Sequence, residues 1–282
     1  METARGSIKS YVLRAGRMTP AQKRAREELF PRFGVSLEDL IRALAKTPER
    51  AEASLIGSDT VSDMLPAFLV RTAPEPPPPE SAFINLFGNV HPVTVEIGFG
   101  MGIATAIIAE RNPGKNYLGI EVFRPGVGRL LWEIGQRSLS NVRVIEHDAA
   151  EVLPCLPPCS LAGIHLFFPD PWPKKRHHKR RLVSRPFTEL LASRLEPAGY
   201  LYMVTDWEDY AFWALEELSR TPGLENPWAG GAGGGFAPPQ AWRPETKFEK
   251  KGIEEARRVW ELYFTAATGP SRAAKDTAGR SA

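Results

Sequence analysis

The chain has 282 residues, 43% of them hydrophobic, which is enough for one sizeable globular domain with extensions. A net charge of +3 is too mild to point to a polyanionic ligand, so any such signal has to come from local clustering. No run reaches membrane-spanning length and the first residues lack an apolar signal core, so the expectation is a cytoplasmic protein with no membrane contact.

Residues 1–35 read as a basic N-terminal arm, with Lys9, Arg14, Arg17, Lys23, Arg24 and Arg26 around the turn Arg17-Met18-Thr19-Pro20. Charge alone favours a solvated lead over a nucleic-acid contact. Residues 36–91 carry a helical patch (Leu37, Leu40, Ile41, Leu44) and then the run Ala73-Pro74-Glu75-Pro76-Pro77-Pro78-Pro79, a stiff extended linker.

From residue 92 to 268 strands alternate with helices. The predicted strands are Val93 to Ile97, Asn116 to Glu121, Val142 to Ile145, Ala162 to Phe168 and Tyr200 to Thr205, with Val259 to Phe264 as a last, antiparallel edge strand. Apolar residues at helical spacing mark two of the intervening helices: Val127, Leu130, Leu131 and Ile134, then Ala211, Ala214, Leu215 and Leu218. The fold class is therefore α/β, a Rossmann-like doubly wound and mostly parallel sheet, with ligands expected beyond the carboxyl ends of the strands. A glycine-rich insertion at about 229–241 reads as flexible, and the small polar tail 269–282 as disordered.

The first strand breaks into Gly98-Phe99-Gly100-Met101-Gly102 and is followed at once by a helix. Glycines in such a turn let a ligand approach main-chain N–H groups at the positive end of the helix, so Gly98, Gly100 and Gly102 are candidate cofactor contacts. A dinucleotide site expects G-x-G-x-x-G, whereas this chain has G-x-G-x-G with Glu96 just before it. Negative charge there repels a pyrophosphate and suits a cationic ligand such as S-adenosylmethionine.

Four more acids fall near the ends of later strands: Glu121, Asp148, Asp170 and Asp206. Glu121 stands about where an acid reaches ribose hydroxyls, and Asp148 is placed to accept from an adenine amino group. Prolines on both sides of Asp170 fix its backbone. Directly after it, Lys174 to Arg181 are eight consecutive basic or histidine residues, a density suited to phosphate. Trp172, in the same loop, is a candidate for stacking on a base or for packing. The only cysteines, Cys155 and Cys159, lack a second ligand pair and read as reduced structural thiols, so no metal is expected.

Taken together, Val95 to Gly102, Gly119-Ile120-Glu121-Val122, Phe168-Pro169-Asp170-Pro171-Trp172-Pro173-Lys174, Thr205-Asp206-Trp207 and Thr246-Lys247-Phe248-Glu249 resemble the tRNA (guanine-N7-)-methyltransferase family. The resemblance runs from about Val93 to Phe264, with Ser10 to Arg14 and Gly16 to Thr19 added at the start. It implies a class I S-adenosylmethionine-dependent methyltransferase fold and methylation of guanine 46 in the tRNA variable loop. By the same resemblance, Glu96, Glu121, Asp148 and Asp170 contact the methyl donor, with Asp170 also catalytic. Lys174, Asp206, Thr246, Lys247, Phe248 and Glu249 contact substrate. Arg176, His177, His178, Lys179, Arg180 and Arg181 bind RNA. Residues 36–80, the stretch 222–241 and the tail depart from the family pattern without interrupting a motif, and monomer and dimer both remain open. Three other classes share features with the chain: a nicotinamide-dependent oxidoreductase, a small-molecule methyltransferase and a non-catalytic RNA-binding module.

Overall fold

The computed structural model describes residues 9–11, 16–45, 82–246, 249 and 257–267. The proline run, the tail from 269 and the site candidates Lys247 and Phe248 lie outside the described residues.

Seven strands form one sheet: β1 (Val93–Ile97), β2 (Asn116–Ile120), β3 (Val142–Ile145), β4 (Leu161–Phe167), β5 (Leu195–Thr205), β6 (Leu224–Glu225) and β7 (Trp260–Ala266). Their order is β3-β2-β1-β4-β5-β7-β6. Pairs among β1 to β5 are parallel, and β7 runs antiparallel to both β5 and β6. This is the expected doubly wound, mostly parallel sheet with an antiparallel late strand. Two details differ. The last strand is not the edge, because the two-residue β6 lies outside it, and β5 starts at Leu195 instead of Tyr200.

The strands of a sheet buried on both faces read as apolar runs, and all five residues of β1 are buried. Alternate residues serve opposite layers. Leu201 and Met203 join the core that holds Val152, Leu191 and Leu218, while Tyr202 and Val204 join the one that holds Ala106, Leu130 and Ile134. The first layer includes α6 (Ala149–Val152), α7 (Phe187–Arg194) and α8 (Glu208–Ser219), together with α2 (Leu37–Ala45) and α3 (Ile84–Phe87). The second includes α1 (Pro20–Phe33), α4 (Ile103–Arg111) and α5 (Arg124–Gln136).

Residues 16–35 are not a solvated lead. Thr19 and Gln22 form a reciprocal capping box with Pro20 in the first turn, which starts α1. The helix buries Ala25 and Phe33, Arg26 pairs with Glu146 at 2.8 Å, and the Val35 N–H donates to the Val144 carbonyl at 2.8 Å. Apolar burial and the sheet edge outweigh the charge that favoured solvent. The glycine-rich stretch likewise forms hydrogen-bonded turns, Gly231 to Trp228 and Gly234 to Gly231, that deliver Phe236 into the core.

Strand order reverses between β1 and β4, so their carboxyl ends open a crevice on one rim of the sheet.

Candidate active site

The rim is built on the turn after β1. Gly98 and Gly100 have φ of 72° and 58°, and a Cβ on either would meet nothing within 4 Å, so both face open space. Gly102 has a packing role as well. A Cβ there would lie 2.6 Å from the Cβ of Leu130, so its absence lets α4 start against α5. Gly126 of α5 backs the turn from the other side, where an added Cβ would lie 1.9 Å from the Gly100 carbonyl oxygen.

The acids stand around this turn. Glu96, at 3% exposure, accepts a hydrogen bond from the Thr105 hydroxyl at 2.8 Å. Burial pushes its carboxyl up to about 7, against the pull of the Thr105 bond, and Glu121 pushes it in the same direction. Glu121 accepts three backbone N–H groups: Gly100 at 2.8 Å on Oε2, and Val122 and Phe123 at 2.7 and 2.9 Å on Oε1. Burial raises its carboxyl, those N–H groups oppose the rise, and Asp170 adds to it. Glu121 is thus within electrostatic reach of Glu96 on one side and of Asp170 on the other. Asp148 caps α6, taking the Ala150 N–H at 3.0 Å on Oδ1.

After β4 the chain turns through Asp170 into Trp172, then forms the 3-10 turn Lys175–Arg180. Lys174, Lys175, Arg176 and Lys179 are exposed and form no ion pair with described residues. Partial desolvation and the neighbouring Arg176, Arg180, Lys174 and Lys179 hold the His177 imidazole below its usual range. His178 lies 3.9 Å from Asp209 and packs edge-on against Trp213. Trp172 is engaged on two sides: its Nε1 donates to the Ser10 carbonyl at 2.9 Å and the Arg180 guanidinium lies 4.8 Å over its ring.

Arg181 departs from the RNA contact expected of it, because its side chain is wholly buried and pairs with Asp209. Asp206, after β5, is paired with Arg257 at 2.6 Å. Glu249 accepts from Arg243 at 2.6 Å and from the Thr246 N–H at 3.4 Å, so Thr246 and Glu249 are tied to a buried cluster in which Arg243 also bonds Tyr202 and Glu261. Burial draws the Arg243 guanidinium down, and the carboxylates of Glu249 and Glu261 together with Tyr202 outweigh it, leaving a net rise. Thr105 and Gly126, which shape the rim, carry no sequence signal: each stands inside an ordinary helical run.

Open space at Gly98 and Gly100 beside buried, structurally fixed carboxylates fits S-adenosylmethionine, a ligand with a nucleoside and a cationic end. Among the described residues no helix is long and apolar enough to cross a membrane.

A family model described as "Putative methyltransferase" matches residues 90–262. The chain is 42% identical over 258 residues to the tRNA (guanine-N(7)-)-methyltransferase of Nitrosospira multiformis, covering 91% of this chain and 93% of that protein. It is 46% identical over 262 residues to the enzyme of the same name from Thiobacillus denitrificans, covering 93% and 96%. Over 207 residues it is 49% identical to that of Bordetella pertussis, covering 73% and 78%.

Proposed function

The chain belongs to the tRNA (guanine-N7-)-methyltransferase family, and from that premise we propose that it methylates N7 of guanine 46 in the variable loop of tRNA. The observation that carries this reading is the juxtaposition at one rim of the sheet of Glu121 with Glu96 and Asp170 in electrostatic reach, an open glycine turn and an exposed cationic turn.

Bound S-adenosylmethionine supplies a methyl group carried on a cationic sulfur. Glu96 and Glu121 bind the donor from below the glycine turn. Glu121 takes only one N–H on Oε2 and so keeps acceptor capacity there for a ribose hydroxyl. Asp148 uses Oδ1 as a helix cap and offers Oδ2 to the adenine amino group.

Guanine N7 has an in-plane lone pair and no proton, so its attack requires no general base, and orientation supplies most of the catalysis. Positive charge grows on the guanine as the bond forms. The fixed Asp170 carboxylate offsets that charge more strongly in the transition state than in the ground state. Lys174, Arg176, His177, His178, Lys179 and Arg180 hold phosphates around the target, a role that a small-molecule acceptor would leave without use. Asp206, Thr246 and Glu249 are assigned to the acceptor.

The test incubates the protein with labelled donor and two tRNA transcripts, one with guanine 46 and one with adenine there. Label entering only the first, at a site cleavable as N7-methylguanosine, is the expected result. Equal labelling of both, or labelling of neither, contradicts it.

A further inference from the structure

Arg181 closes the basic run in sequence but leaves it in space. Its side chain is 0% exposed and lies between two rings of α8, with the guanidinium carbon 5.1 Å from the Tyr210 centroid and 5.2 Å from that of Trp213. Nε donates to the Pro171 carbonyl at 3.0 Å, and Nη2 pairs with Asp209 at the start of α8. Two donors on one edge of a planar group are thus fastened, one to the residue next to Asp170 and one to a helix. The attachment continues past it: Val183 donates its N–H to the Tyr210 hydroxyl at 3.1 Å and accepts from Trp213 Nε1 at 2.8 Å.

Stability alone is a weak reason for this arrangement. Nη1 is buried and has no hydrogen-bond partner among the described residues, and a buried ion pair with an unmet donor returns little net free energy. Geometry is a better reason. A guanidinium is a rigid fork whose donors keep fixed angles, which an ammonium does not offer. The turn also needs an external restraint, because Trp172 has a φ of 46°, a strained conformation for a bulky residue that persists only when its surroundings hold it.

We propose that Arg181, held by Asp209, is a positioning residue for methyl transfer: it fixes the Pro171 carbonyl and through it the direction of the Asp170 carboxylate. The inference rests on the role given to Asp170 above. It separates Arg181 from Lys174, Arg176 and Lys179, which act outward on phosphate.

The test compares Asp209→Asn, Asp209→Glu and Arg181→Lys with the wild-type chain in single-turnover methyl transfer at saturating donor and tRNA. Salt dependence of tRNA binding and thermal unfolding are measured on the same preparations. The Asp209 side chain is 63% exposed, so its substitution disturbs packing less than Arg181→Lys does, and the unfolding curves identify any variant that has lost its fold. Asp209→Asn and Arg181→Lys are expected to lower the saturated rate by about 10- to 100-fold, with the salt slope unchanged, and Asp209→Glu to recover most of it. A wild-type rate in Asp209→Asn overturns the proposal, as does a loss confined to KM and salt slope, or a lower unfolding temperature with no loss of rate. Failure of the functional reading would show in the wild type, which would then transfer no methyl group to the transcript.

Discussion

The acidic rim and the basic turn flank one crevice and hold their charges in opposite ways. Glu96 is sunk below the glycine turn with a hydroxyl donor, and Glu121 has three backbone N–H groups on its carboxylate. Lys174, Arg176 and Lys179 stand in solvent and form no ion pair with the described residues. The first group is fixed before any ligand arrives, at an electrostatic cost visible in the raised carboxyls. The second is cheap to leave exposed, and in the role proposed for it the number of its charges matters more than their exact placement. On the proposed roles, damage to the rim is expected to appear in donor binding and chemistry, and damage to the turn in the salt dependence of RNA binding.

The largest effect expected on the rim alone comes from Gly126→Ala. The new Cβ would fall 1.9 Å from the Gly100 carbonyl oxygen, a contact that only a shift of backbone can relieve. Donor affinity measured by calorimetry is expected to fall about 100-fold or more, while tRNA affinity changes little. Loss of both together would break the division between the two regions.

A smaller effect sharpens it through pH. The Glu96 carboxyl titrates at about 7 in the folded chain against an ordinary 4.5. Between those values the folded protein keeps a proton that the unfolded chain has released, so this group's contribution to stability falls as pH rises from about 4.5 to about 7 and is level above that. The full span is on the order of 3 kcal/mol. Urea unfolding across this window should show the decline in wild type and a flatter profile in Glu96→Gln. Donor affinity in the wild type should rise over the same window, because a cationic ligand favours the ionised carboxylate. Identical profiles for the two proteins would place Glu96 outside the account.

Much of this was legible in the chain because local chemistry and tertiary context agree. Val93–Ile97 and Val142–Ile145 are short apolar, β-branched runs bounded by turn residues, and they are strands with those bounds. Where context overrides local signal, the reading stops. Glu196-Pro197-Ala198-Gly199 looks like a turn, yet β5 runs through it with a register shift opposite Leu161 and Gly163 and with Ala198 at a φ of 63°. β6 is two residues long, too short for any period to register. The acids are visible because each stands near the carboxyl end of a predicted strand. Arg181 is indistinguishable by type from the cations before it, and only the rings of α8, contributed by residues about thirty positions on, turn it inward. Gly102 looks like its two partners in the motif, and only Leu130 reveals that it serves packing.

The most direct measurement sets one variant of each region side by side: Asp170→Asn and the triple variant Lys174→Gln, Arg176→Gln, Lys179→Gln, in single-turnover methyl transfer at saturating tRNA and in tRNA binding against salt. Asp170→Asn is predicted to lose about 100-fold or more in rate with an unchanged salt slope. The triple variant is predicted to keep its saturated rate and to lose about 0.7 to 0.9 of slope for each phosphate contact removed. A wild-type rate in Asp170→Asn, or a salt slope that the triple variant leaves untouched, would contradict the account.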